Sequence, residues 1–349
     1  MSLKDLITSL SEAPGCSGFE GGVGRIIREE LGGHVDNIVT DHMNNIFATK
    51  GAGKTIMIAA HSDEIGLMVK HVDDRGYIRF AKLGGISDQL LLGQRLTIHT
   101  RRGAVQGVIG CKPVHLMKED ERKKLVPYDQ MFIDIGAGKR EDVAVAGIEI
   151  GDSITVNRNV TELAGGMLCG KAFDDRAGCA MLIEVMKSAR PKNKLVGVFT
   201  IQEEVGLRGA TVSAFAVNPD LGIAIDTSCA ADHPEVQEHE GPIKLKGGPA
   251  ILVADGRRDS LGGGMLPNLK VRDWLIGLAR DMKIPYQLEV FEGGTTDGTA
   301  IQLSRAGVPS GVVSLPSRYA HSFSEVIALE DAENTVRLLV AAVESDFPL

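Results

Sequence analysis

Four short apolar runs rich in β-branched residues constrain this chain more than anything else in it: TIMIAA (55–60), KLVGVFTI (194–201), LGIAID (221–226) and SGVVSLP (310–316). Each has the length of a strand and is apolar at nearly every position, the pattern of a strand buried on both faces. Around them lie stretches with helical periodicity, AGCAMLIEVMKSA (177–189), VRDWLIGLARDM (271–282), GTAIQLSRAG (298–307) and DAENTVRLLVAAVES (331–345). Strands alternating with helices predict an α/β fold with a mostly parallel central sheet flanked by helices.

The segment from 67 to 160 has a different texture. Short runs such as YIRFA, QRLTIHT, AVQGVIG, MFIDIGA and DSITVNR are separated by Gly, Asp and Lys/Arg turns, as in a small all-β domain. A chain of 349 residues has room for about two domains. The predicted organisation is a discontinuous catalytic domain, residues 1–66 and 161–349, interrupted by a β-barrel-like insert at 67–160.

Composition removes several partner classes. The formal charge is −8, and the densest basic patches, RRG at 101–103 and ERKK at 121–124, are too short to follow a phosphate backbone, so nucleic acid is not an expected partner. No apolar run reaches the ~18 residues of a spanning helix. The N-terminal MSLKDLITSLSEAPG sets Leu3, Leu6, Ile7 and Leu10 at helical spacing and carries Lys4 and Asp5, unlike a signal peptide. The expectation is a cytoplasmic protein with no membrane partner. Five scattered cysteines, Cys16, Cys111, Cys169, Cys179 and Cys229, suit a reducing compartment and offer neither a disulfide framework nor a thiolate metal site.

Ligands of open α/β sheets bind beyond the carboxyl ends of the strands, and here polar residues follow each run. His61 in HSDEIG comes after the first, Glu203 and Glu204 in QEEVG after the second, Asp226 ends the third, and the fourth leads through SRYA to His321. Asp174 in KAFDDRAG sits at the predicted start of the 177–189 helix, where the dipole suits a carboxylate. Imidazoles and carboxylates converging on one edge suit Zn²⁺ or Co²⁺, with Mn²⁺ a further option, and not thiolate-loving ions. Asp174, Glu204 and Asp226 against two dications leave a net +1, whereas one dication would leave excess negative charge in a partly buried site. Of the adjacent Glu203 and Glu204, one can ligate while the other faces the water, because successive side chains of an extended chain point to opposite sides. A metal pair roughly 3.5–4 Å apart acidifies water, and a free carboxylate can carry its proton to a leaving amine. Asp63, two residues after His61, is placed to orient that imidazole; the remaining seven histidines carry no such context.

The blocks HSDEIG (61–66), KAFDDR (171–176), IQEEVGLRGA (201–210), AIDTS (224–228), GTTDGTAIQ (294–302) and LPSRYAHSFSE (315–325) closely resemble those of the M42 aminopeptidases. LGGISDQLLLGQR (83–95), GVIGCKPVHLM (107–117) and FIDIGA (132–137) in the insert are similar to that family as well. The resemblance implies that Asp174 bridges two metals, that His61 and Asp226 complete one ion, and that Glu204 and His321 complete the other. It implies Glu203 as general base, Asp63 behind His61, a dimerising β domain and commonly a hollow tetrahedral dodecamer that admits peptides. GGTTDGTA around Thr296 and Asp297 departs slightly from the family pattern, which leaves substrate specificity open at this loop. RRDS at 257–260, with Arg258, either borders the side-chain pocket or is a solvated loop.

Three rivals remain. A glycosidase needs two carboxylates facing each other across a sugar, ~5–9.5 Å apart, which adjacent glutamates do not supply and which leaves the histidines idle. A non-catalytic shell predicts loss of a ligand or of the base, and none is missing. A carboxypeptidase or deacylase on the same metal core is the stronger rival; against it stands the long interval from His61 to Asp174, which places the insert as in the aminopeptidase family.

Overall fold

The computed structural model describes residues 1–346 and 348–349. The chain opens on a helix, Leu3–Glu12, whose first turn is fixed by a reciprocal cap: Ser2 Oγ accepts the Asp5 N–H while Asp5 accepts the Ser2 N–H. Leu6, Ile7 and Leu10 on one side of it are fully buried.

An eleven-stranded sheet forms the larger body. Its centre runs in the order Lys194–Thr200, Thr55–His61, Leu221–Cys229, Ser310–Arg318, the four predicted runs, paired in parallel. Alternate side chains go to two cores: Ile56, Ile58 and Phe199 pack under Phe173–Ser188 and Leu329–Glu344, while Met57, Ala59 and Val198 pack against Arg208–Val217 and Asp297–Gln302. With both faces covered, charged residues in these strands stand at or toward their ends, as Lys194, His61, Asp226 and Arg318 do.

The expectation of a mostly parallel sheet is corrected: four strand pairings are parallel and six antiparallel. The reason lies in the connections. Three of the six follow from short links: Asn37–Thr40 joins Ile46–Lys50, Thr161–Leu163 joins Met167–Gly170, and Ser310–Arg318 joins Glu325–Ala328 through a few residues each, and so short a link can only reverse the chain. The other three join strands far apart in sequence, Ile46–Lys50 with Lys194–Thr200, Met167–Gly170 with Glu325–Ala328, and Ala250–Gly256 with Ser310–Arg318. One helix differs from its predicted extent, the 298–307 stretch being helical only within Asp297–Gln302; Phe173–Ser188 is non-helical at Asp174 and Asp175, so its regular turns match the predicted 177–189 closely.

Between Gly66 and Val156 six strands close into an antiparallel barrel, Gly66–Val72, Ile78–Leu83, Phe132–Asp134, Gly103–Gly110, Arg95–Thr100 and Ser153–Val156. Leu67, Phe80, Leu96, Ile98, Ile133 and Ile154 fill it. The junction with the sheet is tight. A Cβ at Gly66 would lie 2.1 Å from Cys16 Sγ and 3.0 Å from the Ile154 carbonyl, so only glycine fits there. No helix among the described residues is long and apolar enough to cross a membrane, and no disulfide forms among them.

Candidate active site

His61 is the last residue of its strand, and the register pairs it with Thr200, so the loop after Thr200 emerges beside it. Gln202 turns that loop through a left-handed conformation (φ 54°) and delivers Glu203 and Glu204. Asp226 lies within the neighbouring strand, aligned with Ser314. His321 sits in the loop that follows Ser310–Arg318, itself left-handed at φ 59°. Asp174 stands ahead of the regular turns of its helix, in a non-helical conformation.

Single donor atoms of His61, Asp174 and Glu204 all lie within 4.8 Å of one another. His61 Nε2 is 3.1 Å from Asp174 Oδ1, and His321 Nε2 is 3.6 Å from Asp174 Oδ2 and 3.7 Å from Glu204 Oε2. The other His321 nitrogen, Nδ1, donates to the Gly85 carbonyl at 2.9 Å, which leaves Nε2 as the free lone pair. Asp226 and Glu203 line the same cavity of about 600 Å³.

Asp63 is fully buried behind the cluster. Its carboxylate accepts the Ser17 hydroxyl at 2.6 Å and the N–H groups of Glu203 and Glu204 at 3.0 and 3.2 Å, and lies 3.5 Å from His61 Nδ1. It therefore ties the N-terminal loop, the imidazole and the glutamate turn together. Asp297 is buried too, accepting the Thr200 hydroxyl at 2.5 Å, while Thr296 caps the short helix through the Gly298 N–H and lines the cavity. Arg258 is exposed and does not line it.

The electrostatics are those of a site short of positive charge. Burial, with the negative charges of its neighbours, holds Glu203 and Asp226 well above the usual carboxylate range and pushes Glu204 up to about 7. Burial opposes a charged His61, yet the carboxylates of Asp174 and Asp63 hold its imidazole well above its ordinary value. Asp174 resists burial through the hydrogen bond and charge of His61 and falls to about 2. Oxygen and imidazole donors in such an anionic pocket fit divalent cations of borderline hardness.

Sequence reasoning passed over several buried acids, among them Glu325, Asp255 and Glu289. Glu325 accepts the N–H groups of Asp174 and His321, at 3.0 and 3.2 Å, and so holds both sides of the cluster in place; the only signal was its place at the end of the LPSRYAHSFSE block. Asp255 and Glu289 line the far wall of the cavity, and nothing in ILVADG or QLEVFE distinguishes them from exposed strand residues.

Comparison with known proteins places this architecture. A putative aminopeptidase of Acetivibrio thermocellus is 39% identical over 97% of this chain and 98% of its own. An aminopeptidase of the archaeon Desulfurococcus kamchatkensis superposes with a TM-score of 0.94 at 39% identity, covering 99% of this chain and 95% of that one. The TET1 peptidase of Pyrococcus horikoshii, described as assembling into a tetrahedron or a large octahedral shell, gives 0.88 at 31% identity, covering 99% of this chain and 100% of that one. The fold is thus one shared with aminopeptidases of known structure. Residues 44–338 match the M42 glutamyl aminopeptidase model, and the chain belongs to that family.

Proposed function

We propose that this protein removes N-terminal residues from peptides, holding two divalent cations, Zn²⁺ or Co²⁺ with Mn²⁺ as a further option, and using Glu203 as proton carrier. The observation that carries this reading is Asp174, whose two carboxylate oxygens face two different imidazoles, those of His61 and His321. A ligand shared by two cations needs that placement. His61 and Asp226 complete one position, Glu204 and His321 the other. Bound there, the cations supply a polarised scissile carbonyl and a water acidified toward pKa ~7.

The rest falls to the chain. Glu203 accepts the proton of the attacking water and returns it to the leaving amine, so no covalent intermediate is required. Asp63 positions the turn that carries Glu203 by accepting its N–H and that of Glu204. The barrel is read as the dimerising module of a larger homo-oligomer: Val145 and Ile150 on it stand 78% and 73% exposed, apolar side chains that association would cover. Light scattering of the purified protein tests this, and a monomer at all concentrations would refute it.

The reaction itself is tested by incubating matched free and N-acetylated peptides with metal-loaded enzyme and reading the products by mass spectrometry. Ladders shortened from the N-terminus are expected from the free peptides only. Equal cleavage of both, or loss from the C-terminus, would favour a deacylase or carboxypeptidase.

A further inference from the structure

Building on the aminopeptidase reading, we propose that Asp255 and Glu289 form the subsite for the side chain of the substrate's first residue, and that it selects a cationic side chain, lysine or arginine. The strand Gln287–Glu292 carries its residues inside out. Leu288 and Val290 are 49% and 53% exposed, whereas Glu289 between them is 5% exposed and lines the cavity. A glutamate turned inward while its apolar neighbours face outward runs against the ordinary sorting of strand residues.

Asp255, from the adjoining parallel strand Ala250–Gly256, is the second acid of the same wall. Its Oδ1 accepts the Met265 N–H and, at 3.1 Å, the Thr295 hydroxyl. Its Oδ2 is buried and has no hydrogen-bond partner. An unpartnered carboxylate oxygen in a buried wall is costly, and the Glu289 carboxylate beside it is bonded by the Ser228 hydroxyl. Leu252 and Phe291 line the cavity with them and offer apolar contact to a methylene stem, so the wall matches a side chain that is greasy along its length and positive at its tip.

Charge sets the selection. Burial and the charge of Asp255 push the Glu289 carboxyl up to about 7, a strain that an incoming ammonium or guanidinium relieves. A leucine leaves both acids unpaired, and a glutamate meets like charge. Asp255 and Glu289 bind and select; they take no part in the bond-breaking step.

The test compares kcat/KM of the metal-loaded enzyme on lysyl, arginyl, leucyl and glutamyl p-nitroanilides, for wild type and Glu289→Gln. Calorimetry of L-lysinamide against L-norleucinamide adds a readout that needs no turnover. Lysyl and arginyl substrates should lead, and Glu289→Gln should shrink the lysyl-to-leucyl ratio by about 10- to 100-fold, the worth of one hydrogen bond to a charged group. Asp255→Asn, which keeps an acceptor for Met265 and Thr295, is the second variant should the first fail to fold. Leucyl or glutamyl preference in wild type, or an equal fall on all four substrates, overturns the subsite while leaving the aminopeptidase intact. Tighter binding of lysinamide than norleucinamide without any hydrolysis supports the subsite and sinks the reaction; neither binding preference nor hydrolysis overturns both.

Discussion

The parallel strands of the sheet and the strands of the barrel bury their residues differently. In Thr55–His61 every residue after the first is buried, whereas Ile78–Leu83 buries Ile78 and Phe80 and leaves the other four partly open to solvent. Charged groups can therefore stand along a barrel strand such as Ile78–Leu83, but in the sheet centre they are pushed toward the strand ends. Crowding there brings His61, Glu203, Glu204, Asp226 and His321 onto one edge. What the barrel adds to the cleft is chiefly backbone: the Gly85 carbonyl on His321.

If chemistry belongs to the sheet edge, perturbing that edge should outweigh anything done to the barrel. The largest effect is expected from chelation, which should abolish peptide hydrolysis, with activity restored by Zn²⁺ or Co²⁺; a chelator-resistant activity would break the comparison at its root. Next comes Glu203→Gln, expected to keep fold and metals while lowering kcat by about 10²–10⁴-fold; near-normal turnover in the fully metallated variant would remove Glu203 as proton carrier. Asp174→Asn should then lose more metal on dialysis than Asp63→Asn, because one ligand faces both imidazoles while the other acts only through His61 and the glutamate turn. Equal stoichiometry by elemental analysis would take Asp174 out of its shared position.

Two variants probe the barrel. A Cβ at Gly85 would stand 3.0 Å from His321 Nδ1, so Gly85→Ala should displace the ring and cost about tenfold in metal affinity or activity, the lower end for groups that orient ligands. An unchanged metal affinity would confine the barrel to assembly alone. The smallest effect is expected from His71→Ala, on an exposed barrel residue, where kcat/KM should stay within about twofold. A larger fall would mean that the barrel carries chemistry of its own.

Much of the fold could be read from sequence because strands buried on both faces leave an uninterrupted apolar trace, and each predicted run coincides with a strand to within a few residues. The mixed direction of the sheet could not, since direction depends on which segment returns to pair, and Ile46–Lys50 or Met167–Gly170 carries no mark of its neighbour. The residues of the cluster stood out because they follow those runs. Glu289 did not: in QLEVFE it alternates with Leu288 and Val290 as an exposed charge would, and only the packed structure shows the strand reversed. Asp297, a motif residue expected near the substrate, is buried and bonded by the Thr200 hydroxyl.

The central strand Thr55–His61 lies between partners that begin at Lys194 and Leu221, and the cluster takes its final member from position 321. During synthesis the strand must wait for Lys194–Thr200 before its first parallel neighbour exists, a long-range pairing of the kind that forms slowly. The pairing that aligns His61 with Thr200 therefore forms only after the intervening segment, which holds the barrel and Asp174, has been made.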